Sequence, residues 1–251
     1  MKNVINKINL LFISTVMVNG CNETNTNNNE EAIEPPLSEW QLVWSDEFDN
    51  DVLDEEKWNK LLWRPGWVNN ELQAYTDRDT NVFVQDGNLV IQALIEPGFF
   101  GTDYTGTSYT ADYTSGRLNT AGKGEWTYGR FDTRAKLPKG IGSWPAIWML
   151  GSNISTVGWP HCGEIDIMEH APATTGLNNI VSSAHTSAYN FTQNTQISNG
   201  PIYVEGATDE FKTYMLTWSQ NELEAQVIVD DSGGSVSTMT HEDEQNGSPF
   251  W

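Results

Sequence analysis

A single-domain antiparallel β-sandwich is the fold class that three features of this sequence predict. Apolar residues after Pro36 fall in short runs, turn-forming residues separate those runs, and no window of twelve or more residues carries a clean helical stripe. The candidate strands, in order, are residues 40–44, 89–94, 116–120, 127–137, 146–150, 165–169, 180–185, 211–218 and 224–229. The run 127–137 is the most regular. Tyr128, Arg130, Asp132 and Arg134 alternate with Gly129, Phe131, Thr133 and Ala135, which suits a strand with one wet face. Turn signals stand between the runs: Asp86-Gly87-Asn88, Pro138-Lys139-Gly140, Asn199-Gly200-Pro201 and Asp231-Ser232-Gly233-Gly234. Residues 98–113, rich in Gly, Thr and Tyr, read as a long surface loop. No internal repeat interrupts the pattern.

The 251 residues are enough for one large domain, and they carry 13 basic against 34 acidic side chains, a formal charge of -21. That field opposes nucleic-acid binding and adhesion to an anionic bilayer surface, and it is compatible with a neutral substrate. Eleven tryptophans are the unusual count. They suit either a cleft for flat sugar rings or large aromatic fillers in a β-rich core.

Residues 1–20 read as an export segment. Lys2 and Lys7 supply the positive start, residues 10–18 supply a nine-residue apolar stretch too short to span a bilayer, and Gly20-Cys21 closes it. That ending resembles a bacterial lipoprotein signal, which predicts lipidation of Cys21 and attachment to the cell envelope by the lipid alone; plain secretion and a buried strand are the alternatives. Residues 21–37 are polar and Asn-rich, end in Pro35-Pro36, and read as a disordered tether before a domain at 38–251. With Cys21 lipidated, Cys162 is the remaining thiol and no intrachain disulfide is expected.

The strongest chemical signal is the run Gly163-Glu164-Ile165-Asp166-Ile167-Met168-Glu169-His170. A strand puts Glu164 and Asp166 on one face and sends Ile165 and Ile167 into the core. Glu169, five residues from Glu164, would point inward in a regular strand, where an unpaired carboxylate is costly. One extra residue taken up as a bulge near Ile167 and Met168 returns it to the wet face. Three carboxyl groups in a row repel one another and raise at least one pKa. Splitting a glycosidic bond needs that asymmetry: one group ionised to attack the anomeric carbon, one protonated for the leaving oxygen, about 5–5.5 Å apart in a retaining enzyme. A solvated acidic strand edge and a cation site are the competing readings. Upstream, Trp144 and Trp148 are four apart and fall on one side of a strand, while Trp159 stands five residues before Glu164. Indole faces stack on sugar rings, although Trp148, between Ile147 and Met149, also fits a core position.

The stretch GEIDIMEH, with GSWPAIWML, SGRLNT and YGRFDTRAKLP before it, resembles glycoside hydrolase family sixteen, and in particular its laminarinase-like members, endo-acting β-1,3-glucanases. The segments LVWSDEFD from Leu42, WVNNELQAYTDR, VQDGNLVIQA and FKTYMLTWSQNELEAQVIVDD extend the likeness over nearly all of the chain beyond the tether. The resemblance implies a curved jelly-roll sandwich of the concanavalin A-like type. It also implies Glu164 as nucleophile, Glu169 as general acid/base and Asp166 as the helper that tunes the nucleophile. Trp144, Trp148 and Trp159 would line the cleft, and Asn70, Arg117 and His185 would face sugar subsites. The implied chemistry needs no cofactor. Glu47 and Gly87 lie where ligands of a structural calcium usually fall, but the aspartate that completes that site belongs to a portion beyond Ser248-Pro249-Phe250. The family continues there with further strands, so the resemblance implies a C-terminally truncated domain. A polysaccharide is the expected partner, and a monomer the expected state. Two function classes follow: a hydrolase of laminarin-like glucans, or a surface glycan-binding protein that lost turnover. Mixed-linkage glucan, agar and carrageenan are the alternative substrates.

Overall fold

The computed structural model describes residues 15–18, 40–229 and 233–242. The strands are β1 (Thr15–Val18), β2 (Gln41–Trp44), β3 (Asn59–Lys60), β4 (Gln73–Tyr75), β5 (Val82–Gln85), β6 (Asn88–Ile91), β7 (Leu94–Thr102), β8 (Ser108–Ser115) and β9 (Leu118–Asn119). They continue with β10 (Gly129–Ala135), β11 (Ala146–Leu150), β12 (Glu164–Glu169), β13 (Asn179–His185), β14 (Ile197–Ser198), β15 (Ile202–Tyr203), β16 (Lys212–Trp218), β17 (Glu222–Ile228) and β18 (Ser235–Glu242). Two four-residue helices, α1 (Ile154–Val157) and α2 (Pro172–Thr175), stand on either side of β12 in the chain. None among the described residues is long and apolar enough to cross a membrane.

Two sheets build the sandwich: a six-stranded one in the order β18-β17-β16-β10-β1-β2, and a second in the order β11-β12-β13-β14 with β15 also on β13. In β10, Gly129, Phe131, Thr133 and Ala135 are buried while Arg130, Asp132 and Arg134 stay half-buried, as the alternation predicts. Phe131, Tyr214, Leu216 and Leu223 of the larger sheet meet Ile165, Ile167, Met168 and Ile180 of the smaller one in a single core. Burial of each such side chain contributes about 1.5–3 kcal/mol. One face of β12 is therefore committed to the core, and the opposite face carries what remains. A second cluster of Phe48, Leu53, Trp58, Val82 and Leu89 meets the first through Trp44 and Ile91, which pack against both.

Several elements differ from the sequence reading. Residues 98–113 are not a loop: β7 and β8 form a long hairpin that turns at 103–107, with a register shift between Ile95 and Phe99. Its Thr and Tyr content favours strand, and the glycines mark irregularities and the turn. The pairing is also not wholly antiparallel, because β4 runs parallel to β8. The strand predicted at 89–94 divides, its first part pairing in the β5–β6 hairpin with Gln85 opposite Asn88. The turn residues Asp86 and Gly87 both have positive φ, 54° and 68°, which is the two-residue geometry that suits a twisted hairpin. Finally, Thr15–Val18, the end of the apolar stretch assigned to export, pairs with both β10 and β2. Cys21, the tether and residues 243–251 lie outside the described residues.

Candidate active site

The bulge predicted in β12 is present. Asp166 stands opposite Ser183 and Glu169 opposite Val181, so three steps along β12 match two along β13. The same extra residue appears against β11, where Ile147 faces Met168 and the next residue, Trp148, faces Asp166. Ile167 and Met168 are both buried, at 4% and 0% exposure. The insertion thus keeps two apolar side chains in the core and returns Glu169 to the face that carries Glu164 and Asp166.

Hydrogen bonds tie that face together. Ser183 Oγ lies 3.3 Å from Asp166 Oδ2 and 3.3 Å from Glu169 Oε2, bridging two of the three acids. The Trp144 indole N–H donates to Glu169 Oε1 at 3.0 Å. His185 Nε2 stands 3.3 Å from Asp166 Oδ2, and its Nδ1 is buried with no protein partner. Oxygen or nitrogen atoms of Glu164, Asp166 and His185 all lie within 4.8 Å of one another. Among the described residues this is the one group of ligating side chains close enough to share a cation, but it offers three ligands where hard cations take six to eight oxygens.

Electrostatics follow from this crowding. Burial, then the Asp166 and Glu169 charges, push the Glu164 carboxyl up to about 7, while His185 and Trp159 oppose the rise. Burial, followed by the Glu169 charge, pushes Asp166 upward as well. The two neighbouring acids therefore bind a proton together more tightly than ordinary carboxyls do. With that proton on Asp166, the more deeply buried of the two, Glu164 is the anion. Burial also holds His185 below the usual imidazole range, against the pull of the Glu164 and Glu169 charges.

Aromatic side chains extend from this row. Trp148 faces the Arg117 guanidinium at 4.8 Å, and the same guanidinium lies 4.4 Å from the Trp63 ring and 5.5 Å from Tyr75. Arg117 is in this way fixed by stacking. Trp159 packs 5.1 Å from the exposed Phe191 and 6.0 Å from His185. Trp144 does not lie on a strand with Trp148, as its spacing suggested; it precedes β11, half its surface is exposed, and it reaches Glu169 from the turn. Asn70 occupies an exposed turn whose Asn69 and Asn70 both have positive φ, and it makes no hydrogen bond to the acids. Glu47 is exposed near the end of β2, and Gly87 sits in the β5–β6 turn. Two such ligands do not make a calcium cage by themselves.

Sequence reasoning missed Ser183, Trp63 and Phe191. Ser183 had a usable signal, because it lies two residues before His185 and period two puts both on one face of β13. Trp63 had none, since its contact with Arg117 joins residues more than fifty positions apart.

Comparison with known proteins agrees with this geometry. The family model of glycosyl hydrolases family 16 matches residues 69–250. A β-glucanase of Rhodothermus marinus is 43% identical over 228 residues, which cover 88% of this chain and 71% of the relative. A glucan endo-1,3-β-glucosidase of Cryptopygus antarcticus is 36% identical over 84% of this chain and 76% of its own length. Among solved structures, the catalytic domain of an endo-1,3-β-glucanase (laminarinase) from Thermotoga petrophila is similar with a TM-score of 0.69 at 40% identity, over 82% of this chain and 79% of that one. Strand-built sheets, a bulged acidic strand and a match over most of the chain lead to one assignment: the chain belongs to glycosyl hydrolase family 16.

Proposed function

We propose that this protein hydrolyses internal β-1,3-glucosidic bonds of laminarin-like glucans with retention of configuration. The observation that carries the reading is the β12 bulge, which brings Glu164, Asp166 and Glu169 to one face with Trp144 and Ser183 on the acid/base. Glu164, ionised while Asp166 holds the shared proton, attacks the anomeric carbon. Glu169 protonates the departing oxygen, and a covalent glycosyl-enzyme forms. Glu169 then takes a proton from water, which attacks the same carbon and frees Glu164. Arg117 and Trp148 supply a stacked wall beside the acids. The similarity to a β-glucanase and to laminarinase structures supports β-1,3-glucan as the substrate.

The test is the anomeric form of the first product, followed by NMR. A β-linked glucan should give β product. Predominantly α product would mean inversion and the wrong role for Glu164. Glu164→Gln should abolish turnover and leave glucan affinity largely in place. Glu169→Gln should cost far less on an activated aryl glycoside, which needs little protonation, than on glucan.

The export reading belongs to the same proposal. Cleavage before Cys21 with diacylglyceryl attachment to its sulfur would hold the enzyme at the envelope, and it would also remove β1 from between β10 and β2. Intact mass of the membrane fraction decides it: an unmodified Cys21 on a soluble chain ends this part of the proposal.

A further inference from the structure

The face that carries the acids also carries a nitrogen ligand. Glu164 and His185 stand directly opposite one another across β12 and β13, and Asp166, two residues on, shares their side of the sheet. One ligand atom from each of the three lies within 4.8 Å of the other two. His185 Nε2 and Asp166 Oδ2 are 3.3 Å apart. Two ligands held about 2.0–2.1 Å from a tetrahedral zinc ion are themselves about 3.3–3.4 Å apart. This pair already has the spacing that such an ion imposes.

Both of these ligands are set before an ion arrives. The side chains of His185 and Asp166 are 8% and 6% exposed. Ser183 Oγ donates to Asp166 Oδ2 at 3.3 Å, and the rings of Trp159 and Phe191 each lie 6.0 Å from the imidazole. Little rotamer freedom is left to lose on binding. His185 Nδ1 has no hydrogen-bond partner among the described residues, so no acceptor commits the ring to one tautomer and Nε2 can offer its lone pair. Glu164 is only half-buried and supplies the entry from the cleft. Donor chemistry then selects the ion. Two carboxylates and an imidazole, with one position left for water, are the ligand set of a four-coordinate borderline ion, whereas magnesium and calcium need six or more oxygen ligands.

We propose that Glu164, Asp166 and His185 bind a borderline divalent transition ion, with Zn²⁺ as the type, and that the bound ion switches the site off. The binding stands on the three ligands; the loss of turnover rests on the glucanase reading. An oxygen lone pair that Glu164 gives to the ion is not available to the anomeric carbon. Cation and substrate thus compete for one carboxylate, and β12 holds metal binding and catalysis as mutually exclusive states.

Equilibrium dialysis of the full chain against zinc chloride, in a buffer that does not chelate, should give one bound ion per chain. Glu164→Gln and His185→Gln should each weaken binding at least about tenfold, since losing even a supporting group costs a metal site that much. Cys162→Ser, which removes the half-buried free thiol nearby, should leave zinc affinity at the parent value. Asp166→Asn replaces either ligand variant if circular dichroism shows it to be unfolded. In parallel, zinc should lower kcat/KM on laminarin in step with its occupancy, excess EDTA should restore it, and equal concentrations of magnesium or calcium should leave it unchanged. Zinc held equally well by the ligand variants, zinc binding lost with Cys162 alone, or inhibition that EDTA does not reverse overturns the proposal while leaving the glucanase reading intact. A parent that binds zinc through Glu164 and His185 yet cleaves no β-1,3-glucan keeps the metal site and overturns the glucanase reading.

Discussion

Ser183 serves two acids with one hydroxyl proton. It lies equally far from Asp166 and Glu169, and its hydrogen bond is one of the influences that hold the Asp166 carboxyl down. Ser183→Ala should therefore let Asp166 bind its proton more tightly and leave Glu169 with Trp144 as its donor. We expect kcat to fall roughly 3- to 10-fold and the alkaline limb of the kcat/KM profile, where the shared proton is lost, to move to higher pH; a uniform loss with no movement of that limb would mean a purely structural role. Asp166 itself yields a stability prediction. Because Glu164 and Asp166 are raised in the folded state, that state binds protons more tightly than the unfolded chain between about pH 4 and 8. Stability is then lost as pH rises through this window and regained as it falls. Asp166→Asn removes part of the cost, so its Tm should exceed the parent's by a margin that grows from pH 5 to pH 8, while activity drops. Thermal melts across that range check the sign.

At the scale of one element, β12 works because its start is pinned. Gly151, just after β11, donates its N–H to the Gly163 carbonyl at 3.1 Å, and a Cβ there would lie 1.9 Å from the Cys162 carbonyl oxygen. No rotamer relieves a clash with backbone. Gly151→Ala should push residues 162–163 aside and tilt Glu164, destabilising the fold by about 1–3 kcal/mol and lowering kcat more than it raises KM. Urea unfolding with parallel kinetics measures both, and an unaffected kcat would detach Glu164 from this anchor. Legibility also divides by element. The bulge could be read because an acid out of phase with two buried isoleucines leaves only one cheap arrangement. Trp144 was placed wrongly because its spacing to Trp148 assumed a strand that begins only at Ala146. The β7–β8 hairpin was hidden because its glycines mark turn and bulge in a segment whose Thr and Tyr are strand formers.

Over the whole molecule, the sandwich was legible in β10, where alternation divides core from solvent. Sheet order was not, because pairings such as β10 with β16 join segments about eighty residues apart, and no local pattern records them. The net charge of -21 is likewise a property of the whole. Arg64, Arg78, Arg130, Lys139 and Lys212 are each already paired with a carboxylate, so the surplus negative charge repels itself with little relief from within. Raising salt from about 10 mM to about 150 mM shortens the screening length to about 8 Å, and Tm should rise by a few degrees; a fall would show that the exposed pairs outweigh the repulsion.

The stacking around Arg117 has an optical consequence. Trp63 and Trp148 both press on one guanidinium, and Trp159 lies beside His185, so three of the eleven indoles sit where an arriving polysaccharide would displace water and alter their polarity. Intrinsic emission of the Glu164→Gln protein should shift in wavelength as glucan is titrated in. The molecule thereby carries its own dye, and occupancy of the cleft can be followed in a cuvette without label, product or turnover.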